Sequence, residues 1–94
     1  MKNVAIALAD IEILPVKPIN GLLGFASFIL NAQFYVGNIG IHSRPDGTIR
    51  LVYPEKTLPN GKVINCFHPI TKEAGVTVLQ EVSRNFSMLT KGGQ

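Results

Sequence analysis

Between Val52 and Ile70 the chain reads V-Y-P-E-K-T-L-P-N-G-K-V-I-N-C-F-H-P-I, and three of its six prolines fall in that stretch. Each proline fixes φ and removes a backbone donor, so none can occupy the middle of a hydrogen-bonded ladder. The stretch is therefore predicted to be a rim, where a run of strands stops, turns and hands over to a helix. Pro59-Asn60-Gly61 has the chemistry of a tight turn: proline presets the first corner, and Asn and Gly tolerate the left-handed conformation that follows. Lys56 and Lys62 flank it. His68-Pro69-Ile70 ends the extended run, because the residue before a proline is pushed out of helical space, and Thr71 is placed to cap a helix.

What precedes the rim has the pattern of strands. Asn3 to Leu14 alternates and is rich in Ile, Val and Ala, with Val4, Ile6 and Leu8 on one face. Ile11 and Ile13 have the opposite parity, so a bulge or a change of burial is expected near Ala9. Pro15, Pro18 and Asn20-Gly21 are read as a stiff loop. Leu22 to Leu30 and Phe34 to Ile41 are nearly continuous apolar runs, predicted to pair antiparallel through a short connection at Asn31-Ala32 that lacks the usual glycine. Arg44-Pro45-Asp46-Gly47 repeats the chemistry of Pro59-Asn60-Gly61 and joins the third run to a strand from Thr48 to Tyr53. Gly21, Gly24, Gly37 and Gly40 are read as turn and bulge glycines, because no strand, Gly-rich loop and helix follow one another as a phosphate-cradling motif requires.

Beyond the rim, Val63 to Phe67 adds a short strand. Thr71 to about Leu89 carries a helical stripe of Val78, Leu79, Val82, Phe86 and Leu89. The fold class that follows is α+β: an antiparallel β-sheet of four to five strands followed by one C-terminal α-helix. Residues 1–89 form one domain and 90–94 a flexible tail.

At 94 residues the chain suits one small domain, yet 46% of it is hydrophobic and only 16% charged. That is more apolar material than a lone small sheet hides, and it favours a homodimer. There is no apolar run of spanning length and no signal-peptide pattern at the N-terminus, so a cytoplasmic protein with no membrane partner is expected. The single Cys66 cannot form an internal disulfide, which agrees with a reducing compartment. The net charge of +3 arises wholly between Arg44 and Lys72, where Arg44, Arg50, Lys56, Lys62 and Lys72 face only Asp46 and Glu55. A projecting rim with that bias has the electrostatic footprint of a phosphate-bearing partner; an ordinary solvated edge has the same composition.

Catalytic chemistry finds little support. Asp10 and Glu12 are two residues apart with no accompanying constellation, so a solvated strand face is the better account. Cys66 and His68 would share a strand face, but no orienting acid is evident, and a small buried Cys beside a His fixed by the following turn explains the pair. His42, His68 and Cys66 are too few for a zinc site. No enzyme activity, metal, cofactor or small-molecule substrate is expected. The terminal Gly92-Gly93-Gln94 is similar to the tripeptide of peptide release factors, but here it ends a tail.

The run Pro54, Lys56, Pro59, Asn60, Gly61, His68, Pro69, Ile70 resembles the signature of the bacterial stage V sporulation protein G (SpoVG) family, the septation regulators. There a proline, a short basic stretch, a P-D-G or P-N-G turn and a later H-P-I occur at this spacing. Ala26-Ser27, Asn31 to Phe34, Ile39, Ile41 and Asp46-Gly47 extend the similarity, which covers roughly Val4 to Leu89. Where the family usually has two adjacent bases, this chain has Lys56 followed by Thr57 and Leu58. The resemblance implies a small dimeric protein that binds DNA or RNA and modulates gene expression, linked to cell septation and sporulation. Lys56 and Lys62, supported by Arg50, Lys72 and Arg84, are the bases expected at phosphates. The alternative is a self-associating interaction protein that does not bind nucleic acid.

Overall fold

The structure is a computed structural model that describes residues 5–92, with side chains as far as Leu89. Strands β1 (Leu8–Ile19), β2 (Leu22–Leu30), β3 (Phe34–Ser43) and β4 (Ile49–Val52) form an antiparallel sheet in chain order. A separate antiparallel hairpin, β5 (Glu55–Thr57) and β6 (Val63–Asn65), follows, and α1 (Lys72–Gly92) ends the described chain. The fold is α+β, with its strands first and its helix last.

The first strand is displaced from its expected span. It begins at Leu8 and runs through Pro15 and Pro18 to Ile19, where the sequence pointed to a loop. β1 is the outermost strand, so donors on its free side have no partner to lose, and proline is tolerated there. The pairing with β2 is irregular between Pro15 and Ile19, which accommodates both rings. Asn3 and Val4 lie outside the described residues. Of the bulge or change of burial expected near Ala9, the structure has the bulge: pairing shifts between Ala9 and Glu12, and Asp10 takes a φ of 51°. The extra residue reverses the alternation, so Leu8, Ile11 and Ile13 all pack on the core despite their mixed parity. A second bulge lies in β3, where Asn38 has a φ of 61° and the pairing with β2 shifts between Ala26 and Phe28.

The turns follow their residues. Asn20-Gly21 (φ 52° and 86°) and Asn31-Ala32 (φ 51° and 58°) are both left-handed at two positions, the geometry that matches the twist of a hairpin. Ala32 adopts it without being glycine. Asn31 is held from outside the turn, donating its N–H to the Ala7 carbonyl at 2.8 Å while its Oδ1 accepts the Ala7 N–H at 2.9 Å. The two X-Pro-Asx-Gly turns share one hydrogen-bond pattern. Gly47 N–H donates to Arg44 O (3.0 Å), Arg44 N–H to Thr48 O (2.8 Å) and Thr48 N–H to Asp46 Oδ1 (3.0 Å). In the other, Gly61 donates to Leu58 O (2.9 Å), Leu58 to Lys62 O (2.7 Å) and Lys62 to Asn60 Oδ1 (2.9 Å).

Thr71 caps α1, its Oγ1 accepting the Ala74 N–H at 3.1 Å, and Glu73 sits in the first turn where the helix dipole favours a negative charge. The expected stripe meets the sheet: Val78 and Val82 are buried with Ala26, Phe28, Val36, Ile39 and Ile41, and Phe86 packs against them. A Val, Ile or Phe side chain contributes about 1.5–3 kcal/mol when fully removed from water. Leu89 departs from the expectation and is exposed. Leu89 follows Phe86, the last residue of the helix that packs against the core. The helix continues to Gly92, past the expected end at Leu89; Gly93 and Gln94 lie outside the described residues. No helix among the described residues is long and apolar enough to cross a membrane.

Candidate functional site

The rim is a hairpin. Glu55 pairs with Asn65, Lys56 with Ile64 and Thr57 with Val63, and every one of these six residues is exposed. Strand β5 was not foreseen as a strand, because prolines on either side of it, Pro54 and Pro59, argued against a ladder. Three residues between two prolines suffice when the only partner is the returning arm. At the base, Cys66 N–H donates to Pro54 O at 3.0 Å, and the Tyr53 and Phe67 rings stand 6.1 Å apart at 39°, with both residues against the core. Burial of Tyr53 pushes its hydroxyl pKa above the usual 10.0. The hairpin is thus footed on the core and projects beyond it.

Lys56 and Lys62 sit on this arm. Lys56 lies mid-strand on the face shared with Ile64, and Lys62 follows the P-N-G turn directly, its amide and carbonyl both tied into that turn. Both are exposed, and neither enters an ion pair among the described residues. Lys72 opens α1, where the dipole disfavours a cation, so its position is not one that stabilises the helix.

The other two expected bases lie elsewhere. Arg50 is on β4 opposite His42, on the sheet face away from the helix. Arg84 is on α1, bonded to Glu81 Oε1 at 3.3 Å, an exposed pair of the kind worth little. With Arg44, Thr48, Gln80 and Ser83 it lines an open groove of about 670 Å³ between the β3–β4 turn and the helix. Arg44 was not among the expected site residues; its place ahead of Pro45-Asp46-Gly47 was the available signal. Asp46 in the same turn is held below the usual carboxylate range, chiefly by the Thr48 hydroxyl at 2.6 Å, then by the Thr48 amide and the Arg44 charge.

Cys66 is exposed, contrary to the buried position expected of a small thiol: it follows directly on β6, whose three residues are all exposed. His68 Nδ1 donates to the Pro69 carbonyl at 3.1 Å, the constraint expected from the turn that follows it.

Sequence reasoning also missed the sheet's second face. Phe25, opposite Gly40 on β3 and Leu14 on β1, is central to it. Leu22, Phe25, His42 and Val52 line a depression there with Pro54, Glu55 and Thr57, so the foot of the hairpin borders this face. The signal was the same alternation that identified the strands. It was usable only once the bulges were known.

No protein-family model matches this chain, and no curated protein is similar to it at a significant level.

Proposed function

We propose that this chain is a small nucleic-acid-binding regulator of gene expression that acts as a homodimer, a member of the septation-regulator family whose signature its rim resembles. Septation and sporulation are the processes that membership would assign to it. The observation that carries this reading is the hairpin: two unpaired lysines on a proline-stiffened arm, projecting past the core, with Lys72 following in the chain. A preformed arm loses little order on binding, and two copies in a dimer present the pair twice to one extended polymer. Such contacts go to phosphates and position the protein without reading bases. The phosphate contacts this reading relies on first are Lys56 and Lys62, the two bases on the hairpin. The proposed place of action is the cytoplasm.

Fluorescence anisotropy with mixed-sequence DNA and RNA over a salt series tests it. Log affinity falls linearly with log salt for a phosphate-driven binder. Replacing Lys56 and Lys62 with Ala lowers affinity for all sequences alike and flattens the slope by about one per lost contact. Loss confined to one sequence indicates base readout instead, and absence of binding at low salt refutes the assignment.

A second reading, an interaction protein whose apolar surface serves assembly alone, draws on the uncovered sheet face with exposed Leu14 and Tyr35. It predicts self-association without nucleic-acid binding at any salt.

A further inference from the structure

The helix covers one face of the sheet, and the other is apolar. On it, Leu14, Ile19 and Tyr35 are 65%, 62% and 73% exposed, and Val52 is also exposed. With their half-exposed neighbours Phe25 and Leu22 these side chains leave on the order of 500 Å² of surface in water, near the upper end for a monomer. That is more than half of the roughly 800 Å² each partner gives to a standard interface. The chain is also expanded for its length, with a radius of gyration of 14.2 Å where a compact domain of 94 residues has about 12 Å.

Association through the strand edges is obstructed. β1 carries Pro15, Lys17, Pro18 and the Asp10 bulge, all of which blunt an edge, and β4 is only four residues long. The open face remains, and its charges are arranged for self-recognition. Its centre is the row Leu14, Phe25, Gly40, Val52. On one side of that row Glu12 stands on β1 opposite Ser27; on the other, Arg50 stands on β4 opposite His42. They occupy opposite corners, separated by three strand spacings across the sheet and about four residue rises along it, roughly 14 Å in each direction.

We propose that this face seats a second copy of the chain, with Glu12 of each protomer over the partner's Arg50. This rests on the homodimer reading above and supplies its interface. A two-fold axis lying between the sheets, perpendicular to the line joining Glu12 and Arg50, superposes the two corners reciprocally. Because that line runs at about 45° to the strands, the same axis crosses the two sheets near 90°, one of the two angles at which sheets pack. Phe25 and Gly40 then meet their equivalents at the centre. Arg50 serves a carboxylate, not a phosphate, and the two hairpins border one assembly.

Sedimentation equilibrium on the full chain, without nucleic acid, tests this, with circular dichroism to establish that each variant is folded. Wild type is expected to be dimeric at micromolar concentration, and Tyr35→Glu, a change at an exposed position, monomeric. Glu12→Arg and Arg50→Glu each place like charges at both corners and weaken the dimer on the order of tenfold. An equimolar mixture of those two variants restores opposite charges at both corners, so a heterodimer of near wild-type affinity forms. A monomeric wild type overturns both the homodimer reading and this interface. A dimer indifferent to Tyr35→Glu overturns the interface alone. Failure of the mixture to recover overturns the pairing of Glu12 with Arg50.

Discussion

Asp46 and Ala32 illustrate how far single residues control the turns. The Asp46 carboxylate accepts both the hydroxyl and the amide of Thr48, and its pKa lies below the ordinary 3.8. A depressed carboxylate contributes stability that is complete above the unfolded value and lost as pH falls through the folded one. The β3–β4 turn therefore loosens only below about pH 4. Thr48→Val removes the larger cause, and an NMR titration is expected to show the Asp46 carboxyl moving up toward 3.8. Ala32 holds a φ of 58°, a conformation that costs a residue with a Cβ about 1–2 kcal/mol. Ala32→Gly relieves that and loses part of the gain to the greater freedom of the unfolded chain, for a net stabilisation of about 0.5 kcal/mol in urea denaturation. A destabilised variant would show that the turn is not under strain at this residue.

At the scale of elements, short-range chemistry was the readable part. Thr71 as cap, the twin X-Pro-Asx-Gly turns, the short connection at Asn31-Ala32 and the break in alternation beside Ala9 all follow from residues within a few positions of one another, whereas Asn20-Gly21, read as part of a stiff loop, is the two-residue turn of a hairpin. The cap supplies a measurable share of helix stability: Thr71→Ala is expected to cost about 1 kcal/mol, and Thr71→Ser close to nothing. The misreadings share a different cause. Pro15 and Pro18 exclude a central strand but not an edge strand, and which strand is outermost is decided by the order of the whole sheet. Strand β5 and the exposure of Cys66 depended likewise on how little packs against the hairpin. Arg84, expected only in support of the rim lysines, lines the groove beside the β3–β4 turn, about three helical turns from Lys72.

For the molecule as a whole, the contrast between its two kinds of surface matters most. The free edge of β1 is guarded by prolines, a lysine and a bulge, while the adjoining face is left apolar, so the chain is protected against open-ended strand addition yet keeps a surface for one closed contact. Replacing Pro15 and Pro18 together with Thr returns two donors to that edge and removes both rings. Light scattering is expected to show concentration-dependent growth beyond a dimer, where wild type stays at a fixed size; no growth would mean that the prolines are not the guard. The candidate site was half legible from the same standpoint. Composition and charge located the bases on the rim, but which of them share a surface is a property of the packed sheet and helix.

Of the register shifts in the sheet, those at Asp10 and Asn38 bracket one stretch of β2. The extra residue of β1 lies opposite Phe28, and that of β3 lies opposite Ser27. Without Asp10, Ile11 would face Phe28 and Ala9 would still face Ile29; without Asn38, Gly37 would face Ser27 and Val36 would still face Phe28. Every partner and every inward or outward assignment would survive either loss. Each of these two bulges can therefore be described as a one-codon insertion into a locally regular stretch of strand. In-frame deletion of either codon is survivable at the level of pairing, whereas deletion of the neighbouring Glu12 or Ile39 would remove a paired residue and reverse part of a strand. A bulge bends its strand and increases the local twist, so what the two added codons supply is curvature beside Phe28, which is buried in the core.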